Sequence, residues 1–155
     1  MIAARLNAGY TMNVYSKIMC PDESSPDCGM PLYMVSVSAG FPSPADDYLD
    51  GKLDLNDYLI KHRAATFFLR AAGDSMIDAG IHSGDILIVD RSINPVDNNV
   101  VIAVLDGELT VKRIRKSADE LLLMPENKNY EPVRVTGDMH VEIWGVVTTV
   151  IHSLR

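Results

Sequence analysis

The pair Asp106-Gly107, flanked by two apolar runs, constrains the fold of this chain more than any other feature. The segment reads VVIAVL-DG-ELTVKRIR, and an Asp-Gly pair between such runs is the strongest short-range signal for a β-hairpin. A two-residue turn also fixes which residues of the two strands lie opposite each other. The predicted pairs are Leu105 with Glu108, Ala103 with Thr110 and Val101 with Lys112. The chain should therefore contain an antiparallel sheet in which Lys112 shares a face with Val101 and Ala103.

Other short apolar segments, separated by turn residues, predict further strands. They are ATFFLRAAG (65–73), GDILIVD (84–90), ELLLMP (120–125), PVRVTG (132–137) and VEIWGVVTTVIH (141–152). Two segments favour short helices instead: residues 52–62, where Asp54 or Asp57 could cap a helix, and residues 75–81, which contain a terminating glycine. The fold class is therefore predicted to be mostly β, with short antiparallel strands and a few short helices.

The first 39 residues differ from the rest of the chain. They carry two basic and three acidic side chains and have no helical periodicity, so we expect an extended N-terminal arm. At the end of the arm, residues 34–39 (MVSVSA) alternate apolar and serine residues, which is the period of a strand with one apolar face. Pro42 and Pro44 then interrupt the strand pattern. The predicted division is an arm over residues 1–39 and a β domain over residues 40–155.

Composition excludes several classes of function. The chain has 155 residues, 47% of them hydrophobic, a formal net charge of −7 and a pI near 4.9, whereas a general nucleic-acid binder shows a basic face. No window approaches the ~20 apolar residues of a membrane span, and we expect a cytoplasmic protein. Cys20 and Cys28 could form a disulfide, but reduced thiols fit a cytosolic protein better. The four histidines fit no metal-binding motif, so neither a metal nor a cofactor is predicted.

Ser75 lies in Gly-Asp-Ser-Met, after a predicted strand and at the start of a helical turn. Backbone N–H groups at such a position are unpaired and can stabilise an oxyanion. Taken alone, the motif favours a structural role in which Asp74 or Ser75 simply caps the helix. The motif is not the nucleophile elbow of α/β-hydrolases, because Ile77 replaces the second glycine.

Lys112 lies on the predicted hairpin beside small apolar residues. If its ammonium group is buried there, desolvation lowers its pKa from the usual value of about 10.4, and a neutral lysine amine is a competent general base. The other interpretation is a surface lysine that extends its charged end into solvent.

Together these segments resemble the LexA/UmuD family of Ser-Lys self-cleaving proteins, and within it the UmuD-type mutagenesis proteins. The resemblance rests on AGFPSPADDYLDGKLDLNDYLI (39–60), LRAAGDSMIDAGIHSGDILIVDRS (69–92), VIAVLDGELTVKRI (101–114) and WGVVTTVIHSLR (144–155). It implies a LexA/UmuD-type peptidase domain of strongly bent antiparallel strands. Residues 1–38 are longer than the usual UmuD arm, and Asn98-Asn99 replace a Gly-Asp turn that is usual in the family.

The resemblance also implies roles for individual residues. Ser75 would be the nucleophile, Lys112 the general base, and Ala39–Gly40 the bond that is cut. Backbone N–H groups of Asp74 and Ser75 would form the oxyanion hole. Val37 and Ala39 would lie on one face of the cleavage strand and fill two small apolar pockets.

By the same resemblance, the protein would be a homodimeric accessory factor of the DNA-damage (SOS) response. Cleavage would be stimulated by a RecA filament on single-stranded DNA, and the shortened form would join an error-prone, UmuC-type translesion polymerase. Direct sequence-specific DNA binding and a membrane location are not expected. The main alternative is a LexA-like self-cleaving repressor, which would need a DNA-binding domain before Gly40. A signal peptidase would need a membrane anchor, and a non-catalytic binding module would have no need of Ser75 and Lys112.

Overall fold

A computed structural model describes residues 29–33 and 49–154 of the chain. The described residues fall into two units, which are described separately below. The predicted strand over residues 34–39, and with it Val37, Ala39 and Gly40, lies outside the described residues. So does the predicted boundary between an arm and a β domain.

The smaller unit contains a two-stranded antiparallel sheet and one short helix. Strand β1 (Met30–Tyr33) pairs with β2 (Leu49–Leu53). Helix α1 (Leu55–Leu59) follows, and the side chain of Asp54 accepts a hydrogen bond from the backbone N–H of Asn56 at 2.8 Å. This confirms the short helix and the first of its two predicted caps. The hairpin of β1 and β2 was not predicted.

The larger unit contains a seven-stranded antiparallel sheet. Its strands in chain order are β3 (Thr66–Arg70), β4 (Ile86–Asp90), β5 (Val100–Leu105), β6 (Glu108–Lys116), β7 (Leu121–Met124), β8 (Val133–Arg134) and β9 (Val141–Ile151). In the sheet they follow the order β3-β4-β9-β5-β6-β7-β8. Single turns of 3₁₀ helix cover Arg63–Ala65 and Ile77–Ala79. The predicted mostly-β class is confirmed.

The hairpin of β5 and β6 has the predicted register. Val101 pairs with Lys112, Ala103 with Thr110 and Leu105 with Glu108. Asp106 and Gly107 have φ values of 49° and 91°, which are the left-handed conformations that a tight two-residue hairpin turn requires at both central positions. Alternate residues of β5 then enter different hydrophobic clusters: Ile102 packs with Phe67, Leu87 and Val89, whereas Val101 and Ala103 pack with Leu123 and Ile114.

Strand β9 lies between β4 and β5, and its pairing shifts register on both sides. The shifts fall between Ile88 and Val89 on β4 and between Ile102 and Ala103 on β5. Such irregularities bend a strand and increase its twist. The register shifts on both sides of β9 are consistent with the bent antiparallel strands that the family resemblance implies. Among the described residues, no helix is long and apolar enough to span a membrane.

Candidate active site

Ser75 and Lys112 meet although 37 positions separate them in the sequence. The Lys112 ammonium nitrogen, Nζ, lies 3.1 Å from Ser75 Oγ. Strand β6 fixes the lysine through its pairing with β5. The serine lies in the turn between β3 and the 3₁₀ helix Ile77–Ala79, and the next residue, Met76, is only 2% exposed and belongs to a hydrophobic cluster. Packing of Met76 therefore anchors the turn that carries Ser75.

Lys112 Nζ contacts three neutral oxygen atoms. Besides Ser75 Oγ, they are Thr110 Oγ1 at 2.7 Å and the carbonyl oxygen of Val111 at 3.0 Å. Within the described part of the chain, no carboxylate lies within ion-pair distance of this nitrogen. Burial lowers the pKa of Lys112 below its ordinary value, because desolvation disfavours the charged form and no anion restores it.

The contact set fits a neutral amine as well as an ammonium ion. A neutral amine has two N–H bonds and one lone pair. It can donate to Thr110 Oγ1 and to the Val111 carbonyl oxygen while its lone pair accepts the Ser75 hydroxyl proton. The arrangement can therefore hold the serine hydroxyl in line with a base, which is the geometry that activates a serine nucleophile.

The loop after β7 holds the backbone on both sides of Ser75. The Glu126 N–H donates to the Ser75 carbonyl oxygen at 2.8 Å, and the Asp78 N–H donates to the Glu126 carbonyl oxygen at 2.8 Å. The amide of Asn127, a buried side chain, donates to the Asp74 carbonyl oxygen at 3.0 Å. These bonds join the serine turn to a distant segment of the chain.

Side-chain hydrogen bonds also attach this loop to the serine turn and to strand β6. The Tyr130 hydroxyl donates to the Asp74 carboxylate, and this bond raises the pKa of Tyr130. Arg113, next to Lys112 on β6, donates from Nε to the Glu126 carboxylate. Neither Asn127 nor Tyr130 was identified from the sequence as part of the site. No local signal marks them, since their partner Asp74 lies 53 and 56 positions away.

The predicted oxyanion donors lie at the serine turn. Among the residues that the structure describes, none accepts a hydrogen bond from the backbone N–H of Asp74 or Ser75. Within the described residues, both N–H groups therefore have no acceptor. They could donate to the negative charge that develops on the substrate carbonyl oxygen. Their assignment as an oxyanion hole stays a prediction.

A small cavity of about 220 Å³ opens beside Lys112. Its walls come from β5, β6, β7 and β8, and they are mostly apolar. The lining residues are Leu105, Glu108, Leu109, Thr110, Lys112, Leu123 and Val133. A cavity of this size and polarity suits a small apolar side chain close to the lysine.

Comparison with known proteins identifies the family. The model of the Peptidase S24-like family matches residues 31–148. The chain belongs to the Peptidase S24-like family. This match, together with 43–46% identity to the proteins SamA, ImpA and MucA, confirms the predicted relationship to the LexA/UmuD proteins and to the UmuD-type mutagenesis proteins among them.

Three relatives illustrate how far the similarity extends. Protein SamA of Salmonella typhimurium is 43% identical over 138 residues, which cover 89% of this chain and 96% of SamA. Protein ImpA of Escherichia coli is 46% identical over 129 residues, covering 81% of this chain and 85% of ImpA. LexA repressor 1 of Xanthomonas campestris is 38% identical over 137 residues, covering 88% of this chain and 68% of the repressor. This Peptidase S24-like chain is thus similar to most of the length of SamA and ImpA and to about two thirds of LexA repressor 1.

Proposed function

We propose that this protein is a self-cleaving accessory factor of the DNA-damage response, and that Ser75 and Lys112 cut its own Ala39–Gly40 bond. One observation carries the proposal: Ser75 Oγ lies 3.1 Å from the amine of a lysine whose pKa is lowered by burial. Membership in a peptidase family supports the same chemistry.

The first half of the reaction forms an ester. Neutral Lys112 accepts the hydroxyl proton of Ser75 while Oγ attacks the carbonyl carbon of Ala39. The carbonyl oxygen becomes an oxyanion, for which the N–H groups of Asp74 and Ser75 are the proposed donors. When the C–N bond breaks, the Lys112 ammonium returns its proton to the leaving nitrogen of Gly40. The products are an Ala39 ester of Ser75 and a free amino terminus at Gly40.

The second half of the reaction releases the serine. A water molecule attacks the ester carbon, neutral Lys112 accepts a proton from that water, and the tetrahedral intermediate collapses. The proton then passes from Lys112 to the departing Ser75 oxygen. The new carboxyl group of Ala39 releases its remaining proton to solvent and becomes a carboxylate. The enzyme groups return to their starting protonation states, as general acid–base catalysis requires.

The cavity beside Lys112 supports a substrate with small side chains before the cut bond. Its volume of about 220 Å³ and its mostly apolar walls suit residues such as Val37 and Ala39. A docked strand would also exclude water from the amine of Lys112, which favours its neutral form. The cleaved segment can come from the same chain or from a second copy.

The proposed biological setting follows the UmuD-type relatives. The protein acts as a homodimer, and a RecA filament on single-stranded DNA stimulates cleavage by favouring the docked arm, which requires differential affinity for that state. Residues 40–155 then join a UmuC-type translesion polymerase. The chain is 43% identical to SamA and 46% identical to ImpA but 38% identical to LexA repressor 1, which favours the accessory factor over a repressor.

Incubation of the purified protein at a pH of about 10 tests the proposal without any activator, because alkaline solution neutralises Lys112. We expect two fragments whose intact masses correspond to cleavage between Ala39 and Gly40. Ser75→Ala and Lys112→Ala should both remain uncut. An uncut wild-type chain, or a Ser75→Ala chain that is still cut, would contradict the assignment.

Addition of RecA filaments at neutral pH should accelerate the same cleavage, which tests the proposed stimulation. Two further measurements separate the accessory factor from the repressor. Residues 40–155 of the accessory factor should co-purify with a UmuC-type polymerase. Sequence-specific retardation of duplex DNA in a gel-shift assay would instead favour a repressor.

A further inference from the structure

A second cluster of chemically active side chains lies outside the serine–lysine pair. It consists of His82, Asp85 and His152, and one possible ligand atom from each lies within 4.8 Å of the others. His82 follows the 3₁₀ helix Ile77–Ala79, Asp85 directly precedes β4, and His152 directly follows β9. The fold brings His152 to Asp85 across 67 positions of sequence. We call these three residues the His-Asp-His cluster.

The carboxylate at the centre of the cluster is buried. The Asp85 side chain is 3% exposed. It accepts the backbone N–H of His82 at 2.7 Å through Oδ2, and its Oδ1 lies 2.6 Å from His152 Nδ1. Burial of a carboxylate is unfavourable unless hydrogen bonds, a cation or a metal ion compensate it.

The two imidazoles point ring nitrogens at that carboxylate. His82 Nδ1 lies 3.8 Å from Asp85 Oδ2. This nitrogen is itself buried and has no hydrogen-bond partner among the described residues, although the ring as a whole is about half exposed to solvent. The two ring centroids are 4.8 Å apart. An unsatisfied buried nitrogen beside a buried anion is the kind of group that calls for a specific explanation.

A tetrahedral zinc ion explains this donor set. Zinc binds imidazole nitrogen and carboxylate oxygen at about 2.0–2.2 Å, which places neighbouring ligand atoms roughly 3.3 Å apart. The separations of 2.6 Å and 3.8 Å around Asp85 lie on either side of that value. Both imidazoles are partly exposed, with 44% and 43% of their side-chain surface accessible, so small ring rotations suffice to adjust them.

We propose that His82, Asp85 and His152 bind a divalent transition-metal ion of the zinc class, with His82 Nδ1 and His152 Nδ1 as nitrogen ligands and water in the fourth position. The ion would link the end of β9 to the start of β4. Its ligands do not include Ser75 or Lys112, so this site is separate from the serine–lysine pair. A site with two imidazoles and one carboxylate prefers Zn²⁺, Ni²⁺ or Cu²⁺ over the hard ion Mg²⁺, which requires oxygen ligands.

The direct test is a titration of the full chain, carrying Ser75→Ala to prevent cleavage, with Zn²⁺. Long-range ¹H–¹⁵N spectra report each imidazole separately. We expect the ring-nitrogen signals of His82 and His152 to shift together and saturate at one equivalent, while those of His62 and His140 stay unchanged. Mg²⁺ should produce no shift. Unchanged signals of His82 and His152 under Zn²⁺ would overturn the proposal.

Variants supply an independent measurement by calorimetry. The double variant His82→Gln/His152→Gln should lose at least tenfold in Zn²⁺ affinity at this site. His62→Gln is the matched control, since His62 Nδ1 also lies 2.6 Å from a buried carboxylate, that of Asp90, but without a second histidine. Affinity that persists in the double variant assigns the ion to other residues, such as Cys20 and Cys28, and rejects the His-Asp-His cluster.

Discussion

At the scale of single residues, the chemistry depends on the environment of one lysine. Lys112 Nζ is surrounded by three neutral oxygens and is partly buried. An exposed lysine would be protonated at neutral pH and could not act as a base. The sequence predicted the position of Lys112 on the sheet, since the Asp106-Gly107 turn fixes the pairing. It did not predict burial, because burial depends on segments that meet Lys112 only in the folded chain, such as the turn that carries Ser75, 37 positions away.

Thr110→Val tests how the neighbouring hydroxyl controls the lysine. Thr110 Oγ1 accepts a hydrogen bond from Lys112 Nζ at 2.7 Å, and such a bond is stronger when the donor is charged. Its removal should therefore lower the pKa of Lys112 further. We expect the pH–rate profile of self-cleavage to shift to lower pH, with a reduced plateau because the amine is held less firmly.

The control for this experiment is Thr148→Val. Thr148 carries the same side chain on β9, where its hydroxyl donates to the Ile88 carbonyl oxygen at 3.3 Å. The profile of this variant should match that of the wild type. A profile for Thr110→Val that does not move, or that moves to higher pH, would contradict the role given to the hydroxyl.

Lys112→Met tests the cost of burying the charge. The pKa of Lys112 is lowered in the folded state, whereas in the unfolded chain it is about 10.4. Between these two values the unfolded state holds a proton that the folded state lacks, so this lysine makes stability rise with pH. At pH values below the pKa of Lys112 in the folded protein, the lysine is charged in both states. The burial of its ammonium ion then lowers the free energy of unfolding by its full amount.

Urea unfolding at several pH values measures this effect. Both proteins should carry Ser75→Ala so that neither is cut. Lys112→Met should be the more stable at neutral pH, and its advantage should shrink as the pH rises toward 10.4. A constant difference across this range would show that Lys112 does not change its pKa on folding.

At the scale of elements, the serine turn is held by a loop from another part of the chain. Residues 126–130 contact both Asp74 and Ser75 through backbone and side-chain hydrogen bonds. Strands and turns of the larger unit could be predicted locally, from periodicity and from Asp-Gly or Gly residues. This loop could not, since its role arises only from contacts between residues more than fifty positions apart.

The same reasoning explains the unpredicted hairpin of the smaller unit. Strand β2 reads LDGKL, with Gly51 at a φ of 127° between two charged residues. Its apolar–polar alternation therefore rests on two leucines only, which is too short a pattern to mark a strand. Its pairing with β1 depends on the partner more than on its own residues. The His-Asp-His cluster was missed for a related reason: its histidines lie in no common motif, and the fold alone brings them together.

Asn127→Ala tests the loop as a positioning element. The Asn127 amide donates to the Asp74 carbonyl oxygen, and its Oδ1 accepts the Asn129 N–H at 3.0 Å. Loss of these buried bonds should cost about 1–3 kcal/mol of stability. It should also reduce the plateau rate of cleavage while leaving the pH midpoint unchanged, because Lys112 keeps its contacts.

Asn99→Ala is the comparison variant for this prediction. Asn99 Oδ1 also accepts a backbone N–H, from Val96 at 3.0 Å, in a loop that does not contact Ser75. It should lose stability without a specific loss of cleavage rate in the folded protein. A shifted pH midpoint in Asn127→Ala would instead assign the loop a role in the protonation of Lys112.

At the scale of the whole molecule, β9 connects the two halves of the large sheet. It pairs with β4 on one side and with β5 on the other, and its residues pack against both hydrophobic clusters. Strand β4 follows the serine turn, whereas β5 leads into the strand that carries Lys112. The alignment of nucleophile and base therefore depends on close packing along β9.

Gly145→Ala tests this dependence. A Cβ atom at Gly145 would lie 2.8 Å from Val89 Cγ1 and 2.9 Å from the Asp90 carbonyl oxygen, and the backbone oxygen cannot move without disturbing the pairing of β4. Overpacking of this kind costs about 1–3 kcal/mol. We expect Gly145→Ala to lower the melting temperature by roughly 2–4 °C for each kcal/mol lost, and to slow cleavage at alkaline pH.

Gly137→Ala is the matched control, since a Cβ atom there meets no other atom within 4 Å and the residue has no positive φ. Its melting temperature and cleavage rate should equal those of the wild type. If Gly145→Ala melts at a lower temperature but is cut at the wild-type rate, the alignment of Ser75 and Lys112 does not depend on this contact. If both variants behave as the wild type does, the close approach of β9 to β4 has no energetic consequence, and another part of the sheet must hold the serine turn in position against Lys112 on β6.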